Sequence, residues 1–245
     1  MDTAVMLIDF DNLSGLRDAA DSSALSSRLM AIVRKFLSDL PSTVTVDQIV
    51  IRLYGGWYEG YELTSKGSSV AQLMAASDPF PFRFGDRFIA GEVSLAQGLI
   101  SAPGQVLPGT YRKRGSVQRL RRNKALQATT CIGDDSCGAR MLSKWTEGPL
   151  KMCPTPGCMV TCQDAFIASE QKMVDTLIAV DLIEAVNRGT YAAVAIVSDD
   201  TDFVPALVYS AGNLTAVVSI TSTNHNESLE VLLQAAGVQR IGLES

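Results

Sequence analysis

Short apolar runs rich in β-branched residues recur along the chain and alternate with segments whose apolar residues have a helical spacing. Such runs are typical of strands buried on both faces of a sheet. They predict strands at 3–9, 48–54, 192–197, 214–220 and 238–242. The helical spacing predicts helices at 24–38, 168–188, 203–211 and 227–236. Alternating strands and helices predict a three-layer α/β fold with a parallel central sheet.

The regular pattern weakens between residues 57 and 165. Proline, glycine and serine are frequent there, and the segment holds all five cysteines of the 245-residue chain. We therefore expect a Rossmann-like core formed by 1–56 and 166–245 and an insert at 57–165 with short strands near 82–90. The 47% of hydrophobic residues is enough to build such a core.

The net charge of −5 hides an uneven distribution of charge. Residues 112–124 contain seven of the 21 Lys and Arg residues and no acid, so the rest of the chain has 14 basic against 26 acidic residues. A concentrated basic segment on an acidic body is typical of a phosphate-binding arm, and it predicts contact with RNA or DNA. A solvated loop without a partner is the alternative. The basic residues are Arg112, Lys113, Arg114, Arg119, Arg121, Arg122 and Lys124.

The sequence contains no run that approaches the ~18–20 continuous apolar residues of a membrane span. Its beginning lacks the basic and apolar regions of a signal peptide, since Asp2 and Asp9 flank a short apolar stretch. We therefore expect a cytoplasmic protein with no membrane partner. In that compartment cysteines are more often reduced or metal-bound than paired in disulfides.

Acidic residues directly follow two of the predicted strands. The first run ends in Asp9-Phe10-Asp11-Asn12, and the run at 192–197 ends in Ser198-Asp199-Asp200-Thr201-Asp202. The functional crevice of a parallel sheet lies at the carboxyl ends of its strands, so these acids are expected to meet. Neighbouring carboxylates repel one another unless they share protons or bind a cation, and oxygen ligands suit Mg²⁺ or Mn²⁺. The sequence predicts an acidic metal site of the kind used in phosphodiester chemistry.

Three segments, in this order, resemble the NYN family of the PIN-like nuclease superfamily. In that family the first strand ends in Asp-x-x-Asn, a middle helix begins with Lys-x-x-Asp and repeats an Asp six residues on, and a later strand ends in Ser-Gly-Asp-Ser-Asp-Phe. The corresponding segments here are 9–12, 172–181 and 198–203. The resemblance covers roughly 3–55 and 168–243. One departure is visible, because Asp199 stands where the family usually has Gly.

The resemblance implies a Mg²⁺- or Mn²⁺-dependent endoribonuclease that acts on RNA. Asn12 is expected to position a phosphate or a water without adding charge. Asp181 lies about 240° around the helix from Asp175, so the two side chains cannot face the same metal ion directly. We expect Asp175 to bind the metal and Asp181 to hold the metal ligands in place without binding the ion itself. The residues carried over to the site are Asp9, Asn12, Asp175, Asp200 and Asp202, with the four aspartates as metal ligands and Asp11, Lys172, Asp181 and Asp199 around them.

Several of these residues have a structural alternative. An Asp after a strand often caps the next helix, so Asp202 is also a candidate cap for a helix that begins near residue 203, and Asp11 is a candidate turn residue. Lys172 either pairs with Asp175, reaches a phosphate or is a solvated surface lysine. Asp199 either tunes metal binding or points outward. Asp175 lies in an otherwise apolar helical pattern, where a purely structural Asp is less expected.

Four cysteines of the insert are candidate ligands of a structural Zn²⁺ ion. The segment from Cys153 to Cys158 resembles a loosely spaced zinc-ribbon knuckle, and four thiolates would staple a segment that otherwise lacks a core. Ordinary free thiols are the alternative. His225, the single histidine, is expected on a surface loop. The candidate zinc ligands are Cys137, Cys153, Cys158 and Cys162, and either Cys131 or Cys137 is the unpaired fifth cysteine.

Two other functions compete with the nuclease. A phosphatase resembling the haloacid dehalogenase family would use Asp9 as a nucleophile and Asp11 as acid and base, although the Gly-Thr expected next is replaced by Asn12-Leu13. A non-catalytic RNA-binding or adaptor module would use the basic segment alone and bind RNA in a salt-sensitive way without cleaving it.

Overall fold

The computed structural model describes residues 2–76, 79–114, 134, 136–166, 168–213, 215–222 and 227–243. The chain forms two compact units. The first unit comprises Met1–Tyr111 with Gln171–Ser245, and the second comprises Arg112–Glu170.

A seven-stranded sheet forms the centre of the first unit. Its strand order is β11-β10-β9-β1-β2-β6-β5, and every neighbouring pair is parallel except β5 with β6. Strand β1 is central, with β2 on one side and β9 on the other. The strands are β1 (Thr3–Asp9), β2 (Gln48–Tyr54), β5 (Phe82–Phe84), β6 (Arg87–Leu95), β9 (Ala193–Val197), β10 (Ala216–Thr221) and β11 (Gln239–Gly242), and a separate hairpin pairs β3 (Tyr58–Glu59) with β4 (Glu62–Leu63).

Helices cover both faces of the sheet, as a three-layer fold requires. Alternate residues of β1 enter two different apolar clusters, with Met6 and Ile8 in one and Val5 and Leu7 in the other. The first cluster includes residues of α2, and the second includes residues of α6 and α7. The helices of this unit are α1 (Ser14–Arg17), α2 (Ser22–Asp39), α3 (Ser65–Ala75), α6 (Val174–Arg188), α7 (Val204–Ser210) and α8 (Glu227–Ala236).

The predicted fold class is confirmed, because the central sheet is mostly parallel and carries helices on both faces. One helix begins later than predicted: residues 168–171 form a strand, and α6 starts at Val174 and ends at Gly189, which has a positive φ of 62°. Residues 57–111, which we expected in the insert, belong to the first unit, and β6 pairs with β2 over six residues. Strand β6 is only partly buried, so its sequence lacks the apolar run of a central strand.

The second unit contains α4 (Gly138–Trp145) and α5 (Cys162–Ala165). An isolated antiparallel bridge pairs Met152 with Thr161, and Trp145 packs edge-on against Phe166 at 5.0 Å between ring centroids. Strands β7 (Tyr111–Arg114) and β8 (Ala168–Gln171) form a two-stranded sheet. In the described part of the chain no helix has the length and apolarity needed to cross a membrane. The cytoplasmic location stays a prediction.

Candidate active site

The register of the central sheet places Asp9 beside Ser198. Strands β1 and β9 are parallel and pair Ile8 with Val197, so Asp9 and Ser198 are the next residues at the carboxyl ends of the two strands. The chain passes from β1 to β2 on one side and reaches β9 on the other side only later, which makes this edge a topological switch point. Ligand crevices of α/β sheets form at such points.

A chain of hydrogen bonds connects the two strand ends. Asp9 Oδ2 accepts a bond of 2.7 Å from the Asn12 amide and one of 3.0 Å from the Ser198 hydroxyl. Ser198 Oγ in turn accepts the Asp200 backbone N–H at 3.1 Å. Asp200 Oδ1 accepts the Asp202 backbone N–H at 3.0 Å. The structure therefore brings together four of the predicted site residues, Asp9, Asn12, Asp200 and Asp202.

Burial makes Asp9 an unusual carboxyl group. Asp9 is 0% exposed, and the second oxygen of its carboxyl group, Oδ1, is buried without a hydrogen-bond partner among the described residues. Desolvation raises the pKa of Asp9 from 3.8 to about 6, the bonds from Asn12 and Ser198 act against that rise, and the negative charge of Asp175 adds to it. Asp9 is therefore half-protonated near pH 6 and able to change charge under mild conditions.

Asp175 enters the site from the first turn of α6. The N-cap of this helix is Met173, whose left-handed backbone (φ 63°) turns the chain into the helix, and the Lys172 backbone N–H donates to Thr110 O at 2.8 Å. Partial burial raises the pKa of Asp175, and the negative charges of Asp200 and Asp202 raise it further. These effects show that Asp175 shares one electrostatic environment with Asp9, Asp200 and Asp202.

The donors at this site fit a hard divalent cation. All four carboxylates offer oxygen ligands, and the unpartnered Oδ1 of buried Asp9 is a position where a cation would restore the interaction lost by desolvation. In the described residues no three acidic, cysteine or histidine side chains already converge tightly enough to hold a metal ion. Asp175 and Asp202 are exposed to solvent, where their carboxylate oxygens are accessible to a cation.

A shallow cavity of 320 Å³ adjoins the site and is lined by Asn12, Asp199, Asp200 and Thr201. A larger cavity of 820 Å³ lies along β6 and α3, and its lining includes none of the site aspartates. The smaller cavity therefore adjoins the hydrogen-bonded chain through Asn12 and Asp200.

The segment after β9 differs from prediction in two details. Asp200, and not Asp202, is the N-cap of the 3₁₀ turn Thr201–Phe203, since its side chain accepts the Asp202 N–H. Asp199, the residue at the family's usual glycine position, points to the end of β10. It accepts hydrogen bonds from the Thr221 hydroxyl at 2.9 Å and from the Ser222 N–H at 2.7 Å. Asp199 therefore ties two strand ends together.

Asp11 lies on the β2 side of the site. It accepts the Gly56 N–H at 3.2 Å through Oδ2 and forms an ion pair with Lys66 of α3 through Oδ1. The Lys66 ammonium also lies 5.4 Å from the Phe10 ring centroid and 5.7 Å from that of Trp57. Burial lowers the pKa of Lys66, and the charge of Asp9 opposes that change. A cation thus stands at the edge of the acidic cluster.

Asp181 belongs to a different cluster. Its Oδ2 accepts the Tyr54 hydroxyl at 2.6 Å and the Arg52 guanidinium at 3.2 Å, and its Oδ1 accepts the Ile100 N–H at 2.7 Å. Burial raises the pKa of Asp181, and its partners act against that rise. None of these partners is a predicted site residue. The described structure thus places Asp181 in a buried hydrogen-bond network, and its expected role in supporting the metal ligands stays a prediction.

The predicted tetrahedral cysteine site is not formed among the described residues, where no three candidate metal ligands cluster. Cys153 and Cys158 are free and half-buried, whereas Cys162 is buried at the start of α5. Cys131 and His225 lie outside the described residues. Of the basic segment, Arg112 is exposed on β7, Lys113 and Arg114 continue that strand, and Arg119, Arg121, Arg122 and Lys124 lie outside the described residues.

Two residues of the site were not among those predicted. Ser198 has a detectable signal, because it follows a buried strand and precedes Asp200 by two residues. Lys66 has none, since it lies in the segment where the hydrophobic pattern weakens and comes to Asp11 only through the packing of α3.

Comparison with known proteins adds a family assignment. The search found no curated protein and no solved structure that matches the chain. A family model described as NYN domain matches residues 110–240, just over half of the chain. The matched segment contains Asp175, Asp200 and Asp202, whereas Asp9 and Asn12 lie before it. The chain belongs to the NYN domain family of PIN-like nucleases.

Proposed function

We propose that this protein is a Mg²⁺- or Mn²⁺-dependent endoribonuclease that hydrolyses RNA phosphodiester bonds at Asp9, Asp175, Asp200 and Asp202. Membership of a nuclease family supports a nuclease role. The observation that carries the proposal is the buried Asp9 Oδ1, which has no partner among the described residues. The charge of Asp175 acts on Asp9, and burial and the charges of Asp200 and Asp202 raise the pKa of Asp175 in turn. Such a site is costly without a cation and favourable with one.

Each residue then has a distinct task. Asp9 provides a buried anionic oxygen, Oδ1, because Asn12 and Ser198 hold its other oxygen. Asp200 is oriented because its side chain caps the 3₁₀ turn, while exposed Asp175 and Asp202 would supply further oxygen ligands to the ion. When bound, a divalent ion supplies neutralisation of the phosphodiester charge and activation of water.

Recognition of RNA requires positive charge outside the acidic cluster. We propose that the basic segment 112–124 contacts the RNA backbone, supported by its seven positive charges without a compensating acid. This contact is independent of sequence, since phosphate contacts fix position and do not read bases.

The phosphatase alternative is disfavoured by the surroundings of Asp11. An acid and base next to a nucleophilic Asp9 has to exchange protons freely, but Asp11 is held by the Gly56 N–H and by the Lys66 ammonium. Exposure to beryllofluoride tests this alternative directly, because a phosphatase of that type traps the adduct on Asp9. The expected result is no adduct.

Cleavage of end-labelled single-stranded RNA, tRNA and matched DNA in Mn²⁺, Mg²⁺ or EDTA tests the proposed function. Asp200→Asn is the decisive variant, because an asparagine oxygen still accepts the Asp202 N–H and preserves the cap. Asp18→Asn, at an exposed aspartate outside the site, is the matched control. We expect metal-dependent RNA cleavage that is lost in Asp200→Asn alone. Salt-sensitive binding without cleavage by the folded protein would instead identify an RNA-binding module.

A further inference from the structure

We propose that Lys66 binds a backbone phosphate of single-stranded RNA at the β2 side of the acidic cluster, and so positions the strand for cleavage. This inference rests on the proposed function. Lys66 lies outside the segment matched by the family model, so the contact is assigned from the geometry of this chain.

The surroundings of Lys66 fix its position. Thr64 caps α3 by accepting the Gly67 N–H at 3.0 Å, and its hydroxyl donates to Gly56 O at 3.0 Å. Gly67 allows close packing, because a Cβ there would come within 2.9 Å of Trp57 O. The first turn of α3 is therefore locked against the segment that follows β2, and Lys66 projects from a rigid frame.

Two kinds of contact hold the ammonium group at the site. Asp11 forms the ion pair, and the rings of Phe10 and Trp57 lie within 5.7 Å of the charge. Phe10 and Asp11 directly follow Asp9, so the charge of Lys66 is anchored to the same strand end as the buried carboxylate. Asp9 and Lys66 interact electrostatically.

The charge of Lys66 is available to a ligand. Its side chain is 39% exposed, and the ion pair with Asp11 accounts for one of the three N–H donors of an ammonium group. A phosphodiester that approaches four carboxylates is repelled unless cations compensate along its path. Lys66, at the edge of the acidic cluster, would attract a phosphate next to the one that reaches the four carboxylates. Such a contact suits an RNA strand that continues past the site.

Binding to fluorescein-labelled single-stranded RNA, followed by anisotropy in EDTA over a range of salt, tests the contact without cleavage. For Lys66→Gln we expect about tenfold weaker binding and a salt slope smaller by about 0.7, the value for one phosphate contact on a single strand. Lys66→Arg retains the charge and is expected to restore both quantities. Lys35→Gln is the matched control, because Lys35 is also partly exposed and paired with an aspartate, Asp39, but lies on α2.

The double variant Lys66→Gln/Asp11→Asn separates phosphate binding from local structure. If Lys66 only balances the charge of Asp11, removing both charges restores the wild-type salt slope, and the inference is overturned. If Lys66 binds phosphate, the double variant keeps the smaller salt slope of Lys66→Gln, because one phosphate contact is still missing, even though the loss of the Asp11 charge recovers part of the affinity. An unchanged salt slope in Lys66→Gln beside a wild type that cleaves RNA rejects the inference and leaves the nuclease intact. Lys66-dependent binding without cleavage by the wild type rejects the nuclease and leaves the contact. A wild type that binds no RNA rejects the contact as well.

Discussion

The hydroxyl of Ser198 donates a hydrogen bond of 3.0 Å to Asp9 Oδ2, and its oxygen accepts the backbone N–H of Asp200 at 3.1 Å. One small side chain thus connects the first strand of the sheet with the acidic segment that begins 189 residues after Asp9. Because Ser198 and Asn12 occupy Oδ2, Oδ1 is the Asp9 oxygen left without a partner among the described residues.

Ser198→Ala is expected to weaken catalysis by raising the pKa of Asp9. The hydrogen bond from Ser198 lowers that pKa, so its removal moves the acid limb of the pH–rate profile to higher pH. A hydrogen bond to a charged group is worth about 1.5–3 kcal/mol, so the loss in kcat/KM should be roughly tenfold or more below pH 6 and smaller as the pH rises above it. Ser210→Ala is the control, because Ser210 is also buried and its hydroxyl has no partner among the described residues. An acid limb that does not move in Ser198→Ala would contradict the assigned role.

The pKa of Asp9 also makes a prediction about stability without metal. Between pH 3.8 and about 6, folded Asp9 keeps a proton that the unfolded chain has released. The free energy of unfolding therefore falls as pH rises through this window and no longer changes on account of Asp9 above it. The difference between 3.8 and about 6 corresponds to roughly 3 kcal/mol of destabilisation at neutral pH.

Asp9→Asn tests this linkage. An asparagine oxygen still accepts from Asn12 and Ser198 but carries no charge, so in EDTA at pH 7.5 the variant should be more stable than the wild type by up to about 3 kcal/mol. The advantage should disappear towards pH 4. Added Mn²⁺ should stabilise the wild type and have less effect on the variant. Urea unfolding across this pH range measures all three effects, with Asp18→Asn as control. A less stable Asp9→Asn at pH 7.5 would refute the assigned cost of burying Asp9.

The sequence predicts the core of this site because its geometry follows from the sheet. An Asp at the end of β1 and a polar segment at the end of β9 must meet once the two strands pair in parallel. It does not predict Lys66, because α3 lies where the apolar pattern is weak and its contact with Asp11 depends on tertiary packing. The helical spacing correctly separates Asp175 from Asp181, but spacing alone does not reveal the partners that bind Asp181.

Local rules explain the remaining differences. Asp200 and Asp202 are both plausible caps, and only the turn geometry decides that Asp200 accepts the N–H. Strand β6 escapes detection as a member of the central sheet because all its residues except Ile89 are exposed or half-buried, and because it includes Gly91, whose missing Cβ allows contact with Phe80. The choice of capping residue and the place of β6 in the sheet therefore depend on tertiary contacts, which the local sequence pattern does not contain.

Asp181→Asn should lower stability without moving the pH dependence of cleavage. Removal of one partner from a buried ion pair typically costs about 3–5 kcal/mol, and Arg52 would be left facing a neutral amide. Tyr54→Phe removes a single donor to Asp181 and should cost about 1–3 kcal/mol, which keeps the test valid if Asp181→Asn does not fold. Urea unfolding measures stability, and the pH–rate profile and Mn²⁺ titration report on the site. A change in Mn²⁺ affinity of tenfold or more in Tyr54→Phe would place Asp181 with the metal ligands after all.

The left-handed backbone of Met173 costs free energy at the start of α6, the helix that carries Asp175. Its φ of 63° lies in the left-handed region, which costs an L-residue roughly 1–2 kcal/mol, and its side chain is 45% exposed, so little packing is lost on replacement. Met173→Gly should therefore be about 1 kcal/mol more stable than Met173→Ala, since alanine removes the side chain but keeps the Cβ that causes the strain. Urea unfolding of the two variants gives this difference directly. Equal stabilities would mean that the turn before α6 relaxes to negative φ in solution, and the position of Asp175 in the first turn would then need another explanation.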